Sequence, residues 1–244
     1  MQPEGPRIGE VAEASPVEQP AAATDTPSTA SAVDAYRRVE GTLPDSTDNR
    51  SIERRIADLD QRLGTQRNAG NESYRDAIAR YERLLQDPNV HDRDVILYQL
   101  AQTYDLLGDL PSSNRYLDQL IKEYPDSPFR IEAHFRRAER AFSAEHLQLA
   151  EADYRYVLEH GQGTSFWQNA GYMLGWTYLK QGTYDRSLDR FLICIDGILS
   201  KGNDLDRGSR EMVDDAIRGV VLDVNYLDGP KSLANHLERI NKPA

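Results

Sequence analysis

The residues able to do chemistry are few and scattered. Five histidines (His91, His134, His146, His160 and His236) and one cysteine, Cys194, are spread along the sequence. A single cysteine excludes a zinc cluster with several Cys ligands and an intrachain disulfide. His91-Asp-Arg-Asp94 could be imagined as a metal or phosphate site. The plainer reading is a polar turn in which Asp92 or Asp94 caps the next helix. His134 and His146 fall on different helices with no third ligand in sight. Cys194 sits where the chain is expected to bury a small apolar side chain, so it reads as a filler and not a nucleophile. None of G-x-x-x-x-G-K-[ST], G-x-G-x-x-G, G-x-S-x-G and H-E-x-x-H occurs. No catalytic residue, no metal ligand and no cofactor is expected, and the chain reads as non-enzymatic.

Charge narrows the partners. The 244 residues carry 29 Lys plus Arg against 40 Asp plus Glu, a net charge of -11. Nucleic acid and anionic membrane surfaces need clustered positive charge, so neither is an expected partner. No apolar run approaches the ~20 residues of a membrane span. Basic residues gather once, at Arg130, Arg136, Arg137 and Arg140. Glu132, Glu139 and Glu145 interleave with them, so they read as ion pairs on an exposed helix or as a docking point for an acidic segment. Asn49-Arg-Ser51 and Asn71-Glu-Ser73 match the short N-glycosylation pattern, which matters only in a eukaryotic secretory setting.

Residues 1–48 differ from the rest. They hold six of the twelve prolines, three basic and nine acidic residues, and one aromatic, Tyr36. Too little apolar surface is available there to offset chain entropy, so a disordered acidic tail or linker is expected. Met1-Gln-Pro-Glu4 lacks the basic and apolar order of a signal peptide, and no lipid-acceptor Cys lies nearby. This is expected of a cytoplasmic protein or of a mature or trimmed chain.

The elements that must position any site come from an internal repeat. Residues 101–120, 138–157 and 175–194 align at an offset of 37. Ala101, Ala138 and Gly175 open the units, and Gly108, Glu145 and Gly182 hold the turn. A second small residue follows at Ser113, Ala150 and Ser187. A large one comes four later at Leu117, Tyr154 and Phe191. Such spacing predicts two antiparallel helices joined by a short turn, with i, i+4 faces pressed together. Gly108 and Gly182 suit a helix end that needs positive φ.

This pattern resembles the tetratricopeptide repeat (TPR). The resemblance is clearest in 174–191, LGWTYLKQGTYDRSLDRF, and implies an all-α solenoid of about five TPR-like helix pairs in 49–244, behind the 1–48 tail. Clear repeats span 94–200, and degenerate ones flank them at 51–90 and 205–241. The 116–139 stretch carries a Tyr124-Pro-Asp-Ser-Pro128 joint. It is similar to the joints of Gram-negative envelope TPR proteins, such as BamD-like outer-membrane assembly lipoproteins, the Tol–Pal division coordinator and gliding-motility proteins. That likeness implies a periplasmic or envelope-associated address.

The resemblance further implies a concave groove lined by the first helix of each pair. Tyr98, Phe135 and Tyr172 recur there three residues before each opener. Gln102 and Asp105, Glu139 and Phe142, and Trp176 and Lys180 follow on the same face. Two readings stand: the aromatics anchor a bound peptide, or they pack between helix pairs. The Lys, Asn and Arg cluster of a carboxylate clamp is replaced by Tyr98, Gln102, Phe135, Glu139, Asn169 and Met173, which argues against a co-chaperone. The expected function is a protein–protein interaction scaffold in a multiprotein assembly. The alternatives are the N-terminal segment of a longer repeat protein, or an accessory domain of an enzyme whose catalytic part lies elsewhere.

Overall fold

The computed structural model describes residues 28–40, 47–65, 70–200, 202 and 204–240. Eleven helices and no strands occur among them. Contacts divide the chain into two compact units, with the boundary between Ala133 and His134. Each is described by itself.

In the unit up to Ala133, α1 (Thr29–Glu40) packs on α2 (Thr47–Thr65), α2 on α3 (Gly70–Gln86), α3 on α4 (Arg93–Leu107), and α4 on α5 (Leu110–Glu123). Helices α2 to α5 are the expected degenerate pair and the first clear pair. Their core is aliphatic and small: Ala77, Leu84, Leu97, Leu100, Ala101 and Leu117 are buried, with Tyr81 among them. Gly64 gives way to the Tyr74 ring, which would lie 2.5 Å from a Cβ there. The hydroxyls of Tyr104 and Tyr116 both donate to Glu82 Oε1 at 2.7 Å, tying α4 and α5 to α3.

Helix α1 corrects the expectation of disorder across 1–48. Residues 29–40 are helical, and Val33 is buried against Ile56 and Leu59. Within TASAVDAYRRVE the apolar residues fall at helical spacing, Val33, Tyr36 and Val39, while Arg37 and Glu40 reach Asp60 and Arg80. The remainder of the expected tail, 1–27 and 41–46, lies outside the described residues.

In the unit from His134, α6 (Arg130–Ser143) is joined to α7 (Leu147–His160), and α8 (Ser165–Lys180) pairs with α9 (Tyr184–Leu199). Then α10 (Arg207–Tyr226) packs on α9, and α11 (Pro230–Ile240) also reaches α9. The buried set is led by Tyr154, Leu174, Leu188 and Phe191. His236 of α11 lies with its ring nitrogens 2.5 Å from Asp189 and 3.2 Å from Asp185 of α9.

All three clear turns close identically. The amide of residue 108, 145 or 182 donates to the carbonyl three back, and the next amide to the carbonyl five back from itself. That is the Schellman pattern, which needs a left-handed residue. Gly108 and Gly182 supply it at φ 84° and 72°, while Glu145 is forced to 59°. The second small residue also has a repeated use. Ser113 Oγ donates to Ala101 O, and Ser187 Oγ to Gly175 O, across each hairpin. Ala150, without a hydroxyl, leaves the middle pair lacking that bond.

Candidate functional site

The expected groove residues divide between the two units. In the first, Tyr98 of α4 is 7% exposed and stacks on Phe129, with ring centroids 4.4 Å apart. Its hydroxyl accepts from Gln102 Nε2 at 2.6 Å. Phe129 lies just beyond the Tyr124–Pro128 joint. Ser127 Oγ of that joint donates to Asp94 Oδ2, and Arg130 reaches back to Pro125 O. The joint therefore sets the ring that covers Tyr98. Gln102 is half-buried and Asp105 is exposed.

In the second unit the remaining aromatics are 3–5% exposed. Phe135 meets Tyr154 and Phe166. Tyr172 and Trp176 touch edge to face, and both meet Phe191 of α9. The Tyr172 hydroxyl donates to Asp215 of α10, bridging successive first helices. Phe142 lies under Lys180, whose Nζ is 5.0 Å from the ring centre and 3.3 Å from Glu145. Glu139 is half-buried, 3.5 Å from Arg136. The structure thus brings together Tyr98 with Gln102, Phe142 with Lys180, and Tyr172 with Trp176.

These facts bear on the two readings of the aromatics. Their rings are covered by the chain's own residues, which is how packing side chains behave. The parts that reach solvent are the polar neighbours: Asp105 outright, with Gln102, Glu139 and Lys180 half-buried. An anchoring role for Tyr98, Phe135, Phe142, Tyr172 or Trp176 would require these rings to leave their present contacts.

The other sequence candidates resolve as follows. Asp92 stands before α4 but makes no cap; at φ 54° its carboxylate turns to Arg54, 2.8 Å away. Asp94 accepts from Ser127, so neither aspartate caps the helix through its side chain. Among the described residues no group of His, Cys, Asp and Glu is placed to hold a metal ion. Cys194 is buried. Arg136 pairs within its helix, but Arg137 crosses to α7, where Asp153 receives both its Nε and Nη2 at 2.7 Å. His134 Nδ1 lies 2.7 Å from the same carboxylate. Burial pushes the Asp153 carboxyl up, yet the hydrogen bonds from Arg137 and His134 hold it below the usual range.

One polar group had no sequence signal. Asp223 of α10 is fully buried and neither carboxylate oxygen has a hydrogen-bond partner. Burial pushes its carboxyl up to about 7, and the Asp185 charge adds to this.

Residues 96–127 match the family model described as tetratricopeptide repeat. The chain folds as a TPR protein. A TPR protein from Parabacteroides merdae is 18% identical, with a TM-score of 0.55 over 88% of this chain and 75% of that one. BtubC (BKLC) from P. vanneervenii is also 18% identical, at a TM-score of 0.55 over 87% and 86%. A putative kinesin light chain with TPR-like repeats from Podosopora anserina is 10% identical, at 0.53 over 82% and 100%. At these identities the likeness shows the TPR fold alone. No curated relative matches the sequence at a significant level. Among the described residues no helix is long and apolar enough to cross a membrane.

Proposed function

We propose that this TPR protein is a non-enzymatic scaffold that docks segments of partner proteins on the first helices of its pairs. The observation that carries this reading is the division of labour on those helices. Their aromatics are held in packing, while Gln102 and Asp105 in one unit, and Glu139 and Lys180 in the other, stand as polar neighbours beside them. A docked peptide, extended or helical, meets the polar neighbours of either unit. Asp105 and Glu139 favour a basic or neutral segment by simple charge complementarity. Lys180, already beside Glu145, gives the second unit a mixed character.

The experiment is a peptide array of graded charge, read against the wild-type chain and against Asp105→Lys with Glu139→Lys. Binding of basic peptides that weakens at least tenfold in the double variant supports the reading. Preference for acidic peptides in the wild type overturns it.

The finer assignment is a place in a bacterial cell-envelope assembly, periplasmic or envelope-associated, motility machinery included. It rests on the Tyr124–Pro128 joint and its likeness to envelope TPR proteins. Fractionation of the native host tests it: recovery with periplasm or envelope is expected, and recovery in cytoplasm alone contradicts it.

A further inference from the structure

We propose that α11 is a pH-governed latch, a helix docked on α9 through a buried imidazolium, held in place at mildly acidic pH and released as pH rises past neutrality. The device stands apart from the first-helix docking face and does not depend on it.

A histidine anchors α11. Among the described side chains of this 11-residue helix, His236 is the one that is buried, at 4% exposure. Leu233 is half-buried and Leu237 is exposed. A helix this short is marginal alone in water, so its order depends on what its anchor meets.

What His236 meets is charge. Its Nδ1 lies 2.5 Å from Asp189 Oδ1 and its Nε2 3.2 Å from Asp185 Oδ1, both on α9. A neutral imidazole carries one N–H, so one of its nitrogens would set a lone pair against a carboxylate oxygen. The protonated ring donates from both nitrogens and satisfies both carboxylates. Arg239, on α11 itself, also reaches Asp189 at 2.5 Å and comes within 2.6 Å of the same Nδ1. Two cations then face two carboxylates, and loss of the ring proton leaves one cation for the two. The remaining pair, Arg239 with Asp189, sits on an arginine that is 59% exposed, and exposed pairs hold little.

From α10, Asp223 adds to the same balance. It is fully buried, its carboxylate has no partner, and burial together with the Asp185 charge pushes its carboxyl up. Its ionisation places another negative charge in reach of Asp185 just as the ring of His236 gives up a positive one. The contacts around both groups suit the protonated form, so each contributes stability that is present at low pH and lost as pH rises. Histidine ordinarily changes charge between about pH 5 and pH 8, which sets the working range. The turn at Asp228-Gly229 keeps α11 tethered to α10 when it leaves α9. Its departure strips Asp189 of both cations.

The test is hydrogen exchange on the full chain at a series of pH values from 5.5 to 8, corrected for intrinsic amide exchange. Protection of the α11 amides relative to those of α8 is expected to fall at least tenfold across the series. His236→Gln keeps a polar side chain but cannot take up a proton, and its α11 is expected to be weakly protected throughout. Asp185→Asn alters an exposed side chain and leaves the ring in place. There the fall in protection is expected at lower pH, a displacement that a merely structural contact would not produce. Circular dichroism confirms that the other helices persist in both variants. Constant α11 protection across the series overturns the proposal. So does a wild-type fall that His236→Gln reproduces, which would put the titration elsewhere. Equal loss of protection in α8 and α11 also overturns it, because the whole unit would then loosen and no single helix would be released.

Discussion

Gly175 lets the ring of Phe191 press onto the backbone of α8. A Cβ at Gly175 would lie 2.7 Å from Phe191 Cε1, closer than side chains approach. Gly219 of α10 repeats the arrangement from the other side, with a Cβ 2.3 Å from the same ring. Phe191 is thus clamped between two helices that each give up a side chain for it. Ala101 with Leu117 and Ala138 with Tyr154 stand at the same spacing in the other pairs, with alanine in place of glycine as the opener.

Gly175→Ala should therefore destabilise the chain by about 1–3 kcal/mol, the usual cost of overpacking. Gly197→Ala, on the same hairpin, has nothing within 4 Å of the new methyl. There the gain in helix propensity, about 1 kcal/mol at most, should appear unopposed. Urea unfolding of the two variants reads the opposite signs directly.

Glu145→Gly should stabilise. Glu145 occupies the left-handed turn position that glycine holds in the flanking units. Relief of that conformation is worth about 1 kcal/mol. The contact with Lys180 that would be lost involves an exposed carboxylate and is worth little. A rise in thermal midpoint is the expected result.

Glu82→Ala should cost about 1–3 kcal/mol, since it leaves the hydroxyls of Tyr104 and Tyr116 without their shared acceptor. Glu82→Gln keeps an oxygen in place and should cost less. Denaturant midpoints of the two variants rank the effect.

Asp223 makes stability depend on pH with a definite sign. Its folded carboxyl is pushed up to about 7 from an ordinary value of 3.8. The unfolded chain gives up that proton first, so the folded state loses stability as pH rises from about 4 to about 7 and the loss is constant above. Asp223→Asn removes this component. Its stability relative to wild type should climb by a few kcal/mol across that window, measured by urea titration at pH 5 and pH 8.

Much of the hairpin architecture was legible because it is written locally. The 37-residue offset, the glycine turns and the small-to-large spacing each reflect contacts within one hairpin. The candidate face was legible in its positions but not in its exposure. Tyr98 is covered by Phe129, which precedes α6, and Phe135 by Phe166 of the first turn of α8, contacts between successive pairs that the within-hairpin pattern does not encode. Helix α1 was hidden because composition over 48 residues dilutes a twelve-residue amphipathic stretch. Asp223 was hidden because one aspartate in a helix carries no sign of what faces it.

The central claim is that the first-helix aromatics hold the fold while their polar neighbours meet the partner. The most direct measurement is a thermal melt and a peptide titration on two triple variants. Tyr98→Ala, Phe135→Ala and Tyr172→Ala together should lower the melting midpoint steeply. Gln102→Ala, Asp105→Ala and Glu139→Ala together should melt within a few degrees of wild type and lose most peptide affinity. A polar variant that stays folded and binds as well as wild type would contradict the claim, as would an aromatic variant that melts normally and loses binding.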